Sequence, residues 1–413
     1  MNIEIVAVGS ELLSTRFADT NSLYLTERLS DLGLSVARRT IVGDQGPDLE
    51  VSLRQALAFA DLVLVGGGLG PTGDDRTRES AAAALGRRLV FRSDLAAGIE
   101  ARFQKLGRPM SEPNLRQAWI VEGAEVLPNA NGTAPGQWIE ADGKILALLP
   151  GPPHELNGVF ESGVWPRLKA RSFQHASRLM IRTTGLGESD LEARIADLYP
   201  ADERRRLTVL ASPGRVDLHI TAVSPESAEQ AAALAEALAA ALRDRLGTFI
   251  YGGEGADLEA VVVGLLADAG ATLATAESCT GGLVAHRLTN VPGSSRVFLG
   301  GFVAYGNAAK ARDLGVEPAL IAAEGAVSPA VALAMASGAR SRMEADWGLA
   351  LTGIAGPGGG SPDKPVGLVY IALAGPDGVA VERHVFPGRR EAVKFQASQR
   401  ALDRLRRRLA GIA

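Results

Sequence analysis

The sequence lacks several features that would assign it to a large protein class. It holds one cysteine, Cys279, in 413 residues. A single thiol excludes an internal disulfide framework and a cysteine-based zinc site, and it fits a reducing compartment. Excess positive charge is missing too: 43 lysines and arginines face 47 aspartates and glutamates, for a formal net charge of -4. No general electrostatic attraction therefore draws the chain to nucleic acid. The one basic run, Arg404 to Arg408, reads as the solvated face of a helix. No uncharged stretch is long enough to cross a bilayer, and Met1 leads straight into the strand-like Ile3 to Val8 with no basic leader or apolar signal segment. A cytoplasmic protein with no membrane partner is expected. Low-complexity tracts and short-period repeats are also absent.

What is present is ordinary globular composition, 46% hydrophobic and 22% charged, in a chain long enough for two or three domains. Up to about residue 165, short apolar runs alternate with helical stripes, which predicts a parallel sheet wrapped by helices. Strands are expected at Ile3 to Val8, Val36 to Val42, Asp61 to Val65 and Ile145 to Leu149, with a helical stripe of Leu23, Leu25, Leu29 and Leu32 between the first two. From Ser177 to Gly252 the order strand, helix, two strands joined across Ser212-Pro213-Gly214, long alanine-rich helix and closing strand predicts a small split-βαβ unit. Gly252-Gly253-Glu254-Gly255 reads as a linker. The α/β alternation returns from Asp257, with Ser328-Pro329 as a helix start and a helix from about Arg390. The expected class is α/β: two α/β sandwich domains, 1–170 and 257–413, joined by a small α+β domain, 171–252.

Chemistry concentrates where strands stop. The apolar run Ala271 to Ala276 ends in Glu277-Ser278-Cys279-Thr280-Gly281-Gly282, which leaves a carboxylate and three nucleophile-type side chains at a carboxyl strand end, where open α/β sheets collect ligands. A second strand breaks at Tyr305-Gly306; Asn307 can cap the next helix, and Lys310 falls in its first turn, where dipole and burial disfavour an ammonium and favour a base. A third strand runs into Thr352-Gly353-Ile354-Ala355-Gly356-Pro357-Gly358-Gly359-Gly360, whose amides can hold a phosphate or an oxyanion, with Arg390 as a further cation. These residues predict a serine or cysteine nucleophile, a lysine base and a phosphate clamp acting on an acyl-type bond of a phosphorylated small molecule.

The motifs Ala276-Glu277-Ser278-Cys279-Thr280-Gly281-Gly282, Pro292-Gly293-Ser294-Ser295, Gly301-Phe302-Val303-Ala304-Tyr305-Gly306-Asn307 with Lys310, Gly325-Ala326-Val327-Ser328, Thr352-Gly353-Ile354-Ala355-Gly356-Pro357 and Lys364-Pro365-Val366-Gly367 resemble the C-terminal domain of the CinA family, a nicotinamide mononucleotide deamidase. The resemblance implies that Ser278 is the nucleophile, that Lys310 and Tyr305 activate it, and that Ser295, Thr352, Gly353 and Arg390 line the nucleotide pocket. Glu277, Thr280, Gly281 and Asn307 join the expected substrate contacts. The family usually has Gly-Asp-Arg where this chain has Gly388-Arg389-Arg390, which leaves Arg389 as an alternative. No cofactor is implied for this reaction.

In the front domain, the strand ending at Val65 runs into Gly66-Gly67-Gly68-Leu69-Gly70-Pro71-Thr72-Gly73-Asp74-Asp75. A helix start offers free amides to an anion, while adjacent carboxylates repel it unless a divalent cation intervenes, so a phosphoanhydride with a metal ion is expected. With Gly9-Ser10-Glu11-Leu12-Leu13, Asp19-Thr20-Asn21-Ser22, Val42-Gly43-Asp44 and Asn131-Gly132-Thr133-Ala134-Pro135-Gly136, this stretch resembles the molybdopterin-binding-like domain of the same family. That resemblance implies metal-dependent ADP-ribose pyrophosphatase activity, with Asp44, Asp74 and Asp75 on a divalent ion of unspecified identity, Asp75 also catalytic, and Asn21, Gly67, Gly68, Gly70 and Thr133 near the ligand. The middle unit resembles the family's KH-like domain, but Gly185-Leu186-Gly187-Glu188 lacks the basic Gly-x-x-Gly loop that KH modules use on RNA; a structural or dimer-forming role is expected. The sum is a homodimeric hydrolase of pyridine-nucleotide (NAD) salvage acting on nicotinamide mononucleotide and ADP-ribose. The alternative is a ligand-binding protein in which neither site turns over.

Overall fold

The structure, a computed structural model, describes residues 1–171 and 175–412. Positions 172–174, at the start of the segment expected to form the middle domain, lie outside the described residues. The chain packs as two compact units, 1–177 with 223–231, and 178–222 with 232–413. Among the described residues no helix is long and apolar enough to cross a membrane.

In the first unit, strands β1 (Ile3–Val8), β2 (Val36–Val42), β3 (Leu62–Gly66), the short pair β4 (Leu89–Phe91) and β5 (Trp119–Val121), β6 (Glu125–Leu127), β7 (Gly136–Ala141) and β8 (Lys144–Leu149) alternate with helices. The main sheet runs β2-β1-β3-β8-β7-β6. Its first four strands are parallel, whereas β7 and β6 are antiparallel. The sheet is therefore mixed, where the alternation of runs and stripes predicted a parallel one. The antiparallel edge is built by a two-residue hairpin in which Asp142 and Gly143 both take positive φ and Ala141 pairs with Lys144. Apolar side chains alternate between the faces. Ile3, Ile5, Leu62 and Leu64 bury against helix Thr20–Asp31 and the helical stretch after Pro153, while Val6, Val63 and Val65 bury against helices Gly46–Phe59 and Thr77–Leu85.

The middle segment forms a four-stranded sheet of β9 (His175–Thr184), β10 (Arg205–Ser212), β11 (Arg215–Ser224) and β12 (Ile250–Gly252), in the order β10-β11-β9-β12. Ser212 faces Arg215, so Pro213-Gly214 is the hairpin turn, with Gly214 at positive φ. Its helices, Glu188–Ile195 and Ala228–Leu246, complete the split-βαβ order.

The C-terminal sheet contains β13 (Leu273–Glu277), β14 (Phe298–Val303), β15 (Trp347–Gly353), β16 (Leu368–Gly375) and β17 (Gly378–Val385), ordered β14-β13-β15-β16-β17. β14, β13 and β15 are parallel; β16 and β17 turn back antiparallel. One face carries Leu273, Leu349, Leu351, Ile371 and Leu373 against helices Leu258–Asp268 and Arg390–Leu409. The other carries Ala274, Ala276, Ala350, Ala372 and Ala374 against helix Pro329–Arg342. Small side chains bring that helix close: a Cβ on Gly348 would lie 2.1 Å from the Ala336 carbonyl oxygen. The helix starts as expected, with Ser328 Oγ accepting from the Val331 amide and Pro329 in the first turn.

Candidate functional site

Three parallel strands deliver their carboxyl ends to one place. β13 ends at Glu277, and Ser278 follows with its amide fixed on the Leu351 carbonyl of β15. Gly281 and Gly282, at φ +65° and +93°, then turn the chain into helix Leu283–Thr289. The chain leaving β14 passes Ala304 and Tyr305 and enters helix Asn307–Leu314, with Lys310 in its first turn. β15 ends at Thr352-Gly353. A Cβ on Gly353 would lie 2.4 Å from the Leu368 carbonyl oxygen, so only glycine lets β15 run this close to β16.

The chains converge on a cavity of about 270 Å³, just below the usual range for small-molecule sites. Ser278, Cys279, Tyr305, Lys310, Thr352, Gly353 and Arg390 line it, with Ala326 and Val327 from the loop before Ser328 and the glycines of the loop after β15. Lys310 is 1% exposed. Its Nζ lies 3.0 Å from Ser278 Oγ, 2.9 Å from the Ala304 carbonyl and 3.1 Å from the Tyr305 carbonyl. Carbonyl oxygens only accept, so they claim two N–H groups of the amine; the remaining tetrahedral position of Nζ points at the serine. Burial pushes the Lys310 amine below the usual lysine range. In the neutral form, that third position is a lone pair facing the serine hydroxyl, a geometry in which an amine can take a hydroxyl proton.

Cys279 behaves differently. It is 6% exposed, and burial pushes its thiol up to about 12, which keeps it protonated and a poor nucleophile. Of the two side chains left open in the sequence, Ser278 is the one with a buried amine on its side-chain oxygen. Arg390, first residue of helix Arg390–Leu409, donates to the Gly356 carbonyl at 2.9 Å and to the Tyr305 hydroxyl at 3.0 Å. It, and not Arg389, lines the cavity. Tyr305 meets Lys310 through its main-chain carbonyl, while its exposed phenol sits on Arg390.

Several expected contacts are elsewhere. Glu277 is 1% exposed, with its two carboxylate oxygens accepting from the Val284 and Ala285 amides. It anchors the helix after the Ser278 loop and does not line the cavity, because a free helix start is a stronger partner for a buried carboxylate than empty space. Thr280 is fully buried, its hydroxyl unpartnered and outside the cavity lining. Gly281 and the exposed Ser295 and Asn307 also lie outside it. Asn307 does not cap its helix; Gly306 occupies the cap position and Asn307 is the first helical residue. Ala326 and Val327 were missed as lining residues, although the run Gly325 to Ser328 carries the signal of a chain turning before a capped helix.

The front unit has its own cleft, about 560 Å³, at the carboxyl ends of β1 and β3. Asn21, Asp44, Gly67, Gly68, Gly70, Asp74 and Asp75 all line it. The glycine loop is tightly held: Thr77 Oγ1 donates to the Gly67 carbonyl, and Arg78, 2% exposed, donates to the carbonyls of Leu69 and Gly70. Nothing in the sequence flagged Arg78. Cβ atoms on Gly67 and Gly68 would lie 2.3 Å from the Val8 carbonyl oxygen and 2.2 Å from Thr77 Oγ1. Asn21 Nδ2 donates to the Gly151 carbonyl. Thr133 is not in this cleft. Its loop is pinned by Asn129, which bonds Ala134 and Glu155 and accepts from the amides of Asn131 and Gly132, and it borders a separate cavity beside helix Ser93–Lys105.

The acidic residues of the cleft do not form a metal cage. Among the described residues no three histidine, cysteine, aspartate or glutamate side chains gather as an ion-binding group. Asp75 Oδ2 accepts from the amide and hydroxyl of Thr72, and Asp44 Oδ2 from the Ser10 amide. Hydrogen bonds from Thr72 and from its own amide hold Asp74 below the usual carboxylate range. The set does not fit a metal centre built from protein alone; one or two hard oxygen donors of this kind suit an ion that arrives on a ligand's phosphates.

Against known proteins, residues 255–409 match the CinA C-terminal domain, residues 4–170 the "Probable molybdopterin binding domain", and residues 178–252 the damage-inducible protein CinA KH domain. A CinA-like protein of Solibacter usitatus is 45% identical over 412 residues, covering 100% of this chain and 99% of the relative. A CinA-like protein of Koribacter versatilis is 46% identical over 414 residues, covering 99% and 100%. Among solved structures, the competence/damage-inducible protein CihA of Agrobacterium tumefaciens is 43% identical over 36% of this chain and 91% of its own, with a TM-score of 0.35.

Proposed function

Since the chain belongs to the CinA family, we propose that its C-terminal domain is a serine amidohydrolase that converts nicotinamide mononucleotide and water to nicotinate mononucleotide and ammonia. The observation that carries this reading is the buried Lys310 amine, held by two carbonyls and 3.0 Å from Ser278 Oγ. Ser278 Oγ attacks the carboxamide carbon as Lys310 takes its proton. Lys310 returns that proton to the departing nitrogen, leaving ammonia and an acyl ester on Ser278. Water then attacks the ester, Lys310 accepts its proton, and the proton goes back to Ser278 Oγ as the acid leaves. Arg390 at the cavity mouth is the cation for the substrate phosphate. The test is ammonia release from nicotinamide mononucleotide by wild type, Ser278→Ala and Lys310→Ala. A wild type that releases none would favour the ligand-binding alternative and end the enzyme reading.

A second activity is supported by the front cleft, where carboxylates and a backbone-exposing glycine loop lie side by side at strand ends. On this reading the cleft takes ADP-ribose, and Asp44, Asp74 and Asp75 are the residues that would meet a divalent ion carried on its diphosphate, whose charge would be neutralised there. Asp44, Asp74 and Asp75 orient the ion-bearing diphosphate, and the glycine loop admits it closely. Turnover of ADP-ribose that survives Asp75→Ala, or that needs no added metal, would overturn this assignment. Both substrates are pieces of NAD, which gives one chain a reason to hold both sites. A cytoplasmic homodimer fits this role and is checked by light scattering of the purified chain.

A further inference from the structure

Arg78 is a buried cation that neither proposed reaction uses. It is the second residue of helix Thr77–Leu85, behind the glycine loop that lines the front cleft. Its guanidinium donates to two backbone carbonyls, to Leu69 from Nη1 at 2.6 Å and to Gly70 from Nη2 at 3.0 Å, and has no ion-pair partner among the described residues. Burying a charge without a partner of opposite sign is costly. Asp75 and Glu79 attract this one and Arg116 opposes them, while burial outweighs all three and pushes the guanidinium below the usual arginine range. Both acids are engaged elsewhere: Asp75 accepts from Thr72, and Glu79 lies 3.0 Å from Arg116.

The two carbonyls that Arg78 holds belong to a longer pattern. Thr77 Oγ1 donates to the Gly67 carbonyl at 2.8 Å and the Thr77 amide to the Gly68 carbonyl at 3.1 Å. With Leu69 and Gly70, four successive carbonyls turn toward the start of one helix. In a trans peptide the N–H points away from its carbonyl, so the amides of Gly68, Leu69 and Gly70 turn to the opposite side. None of the three donates to another group among the described residues. Gly67 to Gly70 line the cleft, whereas Thr77 and Arg78 do not, so the side with the free amides is the cleft side. Successive N–H groups aimed one way form an anion receptor, and Arg78 sits behind it, at the carbonyl ends of the peptides.

We propose that Arg78 is the positioning residue for a phosphate group in the front cleft: its buried charge keeps the loop carbonyls turned inward and adds to the positive field that the free amides present. This rests on the reading of the cleft as a diphosphate site and narrows it. Asp44, Asp74 and Asp75 line the same cleft and repel a bare anion. The amides of Gly68, Leu69 and Gly70 mark the place where phosphate oxygens meet the protein directly, and the ligand's own charge is what compensates the buried guanidinium.

The experiment is calorimetric titration and hydrogen exchange on the full-length protein, in magnesium, with ADP-ribose, inorganic pyrophosphate and, as an uncharged control, adenosine. In wild type, pyrophosphate and ADP-ribose should slow exchange across 67–75, and adenosine should not. Arg78→Met removes the charge and should bind both phosphate ligands roughly tenfold or more weakly, whereas Arg78→Lys keeps the charge and should stay within about threefold of wild type. Rescue by lysine separates charge from packing. A folded Arg78→Met variant with wild-type pyrophosphate affinity, a lysine variant as weak as the methionine one, protection by adenosine equal to that by pyrophosphate, or no protection of 67–75 by pyrophosphate overturns the proposal. Pyrophosphate protection that responds to Arg78 as expected, with no turnover of ADP-ribose, leaves the proposal standing and ends the pyrophosphatase reading alone. If Arg78→Met does not fold, Arg78→Gln, which keeps an N–H donor without the charge, takes its place in the same comparison.

Discussion

Replacing Lys310 with methionine keeps the stem and removes the amine, and the structure fixes what is lost. The Ala304 and Tyr305 carbonyls lose their donor, and Ser278 Oγ loses the group 3.0 Å away. A positioned general base is worth about 10²–10⁴ in rate, or about 2.7–5.5 kcal/mol of barrier. Ammonia release from nicotinamide mononucleotide should fall by that factor in kcat. Stability should move much less than the orphaned carbonyls alone imply, at about 1–3 kcal/mol each, because the variant no longer buries an amine. The sign of the pH effect follows from the lowered Lys310 value. The folded state holds the Lys310 proton more weakly than the unfolded chain, so between the lowered folded value and the ordinary lysine value the unfolded state binds more protons and stability rises with pH. Activity rises through the same folded value as the amine becomes neutral. Wild-type kcat/KM should therefore show a one-proton alkaline rise, and Lys310→Met should lose both that rise and the stability slope. Lys310→Arg, which cannot deprotonate, should be as inactive as Lys310→Met. A methionine variant within about tenfold of wild type, or an unchanged pH profile, would refute the reasoning.

Cys279→Ala should leave ammonia release within a few-fold of wild type, since the thiol stays protonated; near-complete loss with full folding would make it the nucleophile instead. Glu277→Ala removes the partner of the Val284 and Ala285 amides and should cost about 0.5–2 kcal/mol in denaturant unfolding, as lost helix anchors do, with kcat falling because the serine loop loosens. Arg287 is buried against Glu259, Ser398 and Gln399, so Arg287→Ala should destabilise by about 3–5 kcal/mol; a change under 1 kcal/mol would mean the network contributes little.

The strand ends were legible because buried parallel strands read as unbroken apolar runs and stop at glycine or polar residues. That placed Ser278, Lys310 and Gly353 correctly at one end of one sheet. Partners were harder to read, since a side chain's environment is set by residues distant in sequence. Glu277 looked like a site carboxylate because nothing local shows that its helix start lies within reach. Asn307 missed its cap by one position, the usual uncertainty of a helix boundary. β7 followed a loop-like run and was passed over, although Asp142-Gly143 was a hairpin signal in plain view. Thr133 was grouped with the glycine loop in sequence, but the fold places it at a separate cavity.

The KH-like hairpin has a consequence for the order in which the molecule can be finished. Its Gly214 turn rests on helix Arg390–Leu409, where a Cβ would lie 3.2 Å from Gln399, and Arg406 of that helix bonds the Thr248 and Ile250 carbonyls. During synthesis the Ser278 loop emerges well before this helix does, so a growing chain carries Ser278 without the guanidinium that lines its cavity and with the Leu273, Leu349 and Leu351 face of the C-terminal sheet still uncovered. The same late element completes both. A ribosome that stalls between β17 and Leu409 would therefore leave a nascent protein whose Ser278 cavity is incomplete and which is also recognisable as unfinished by its exposed apolar surface.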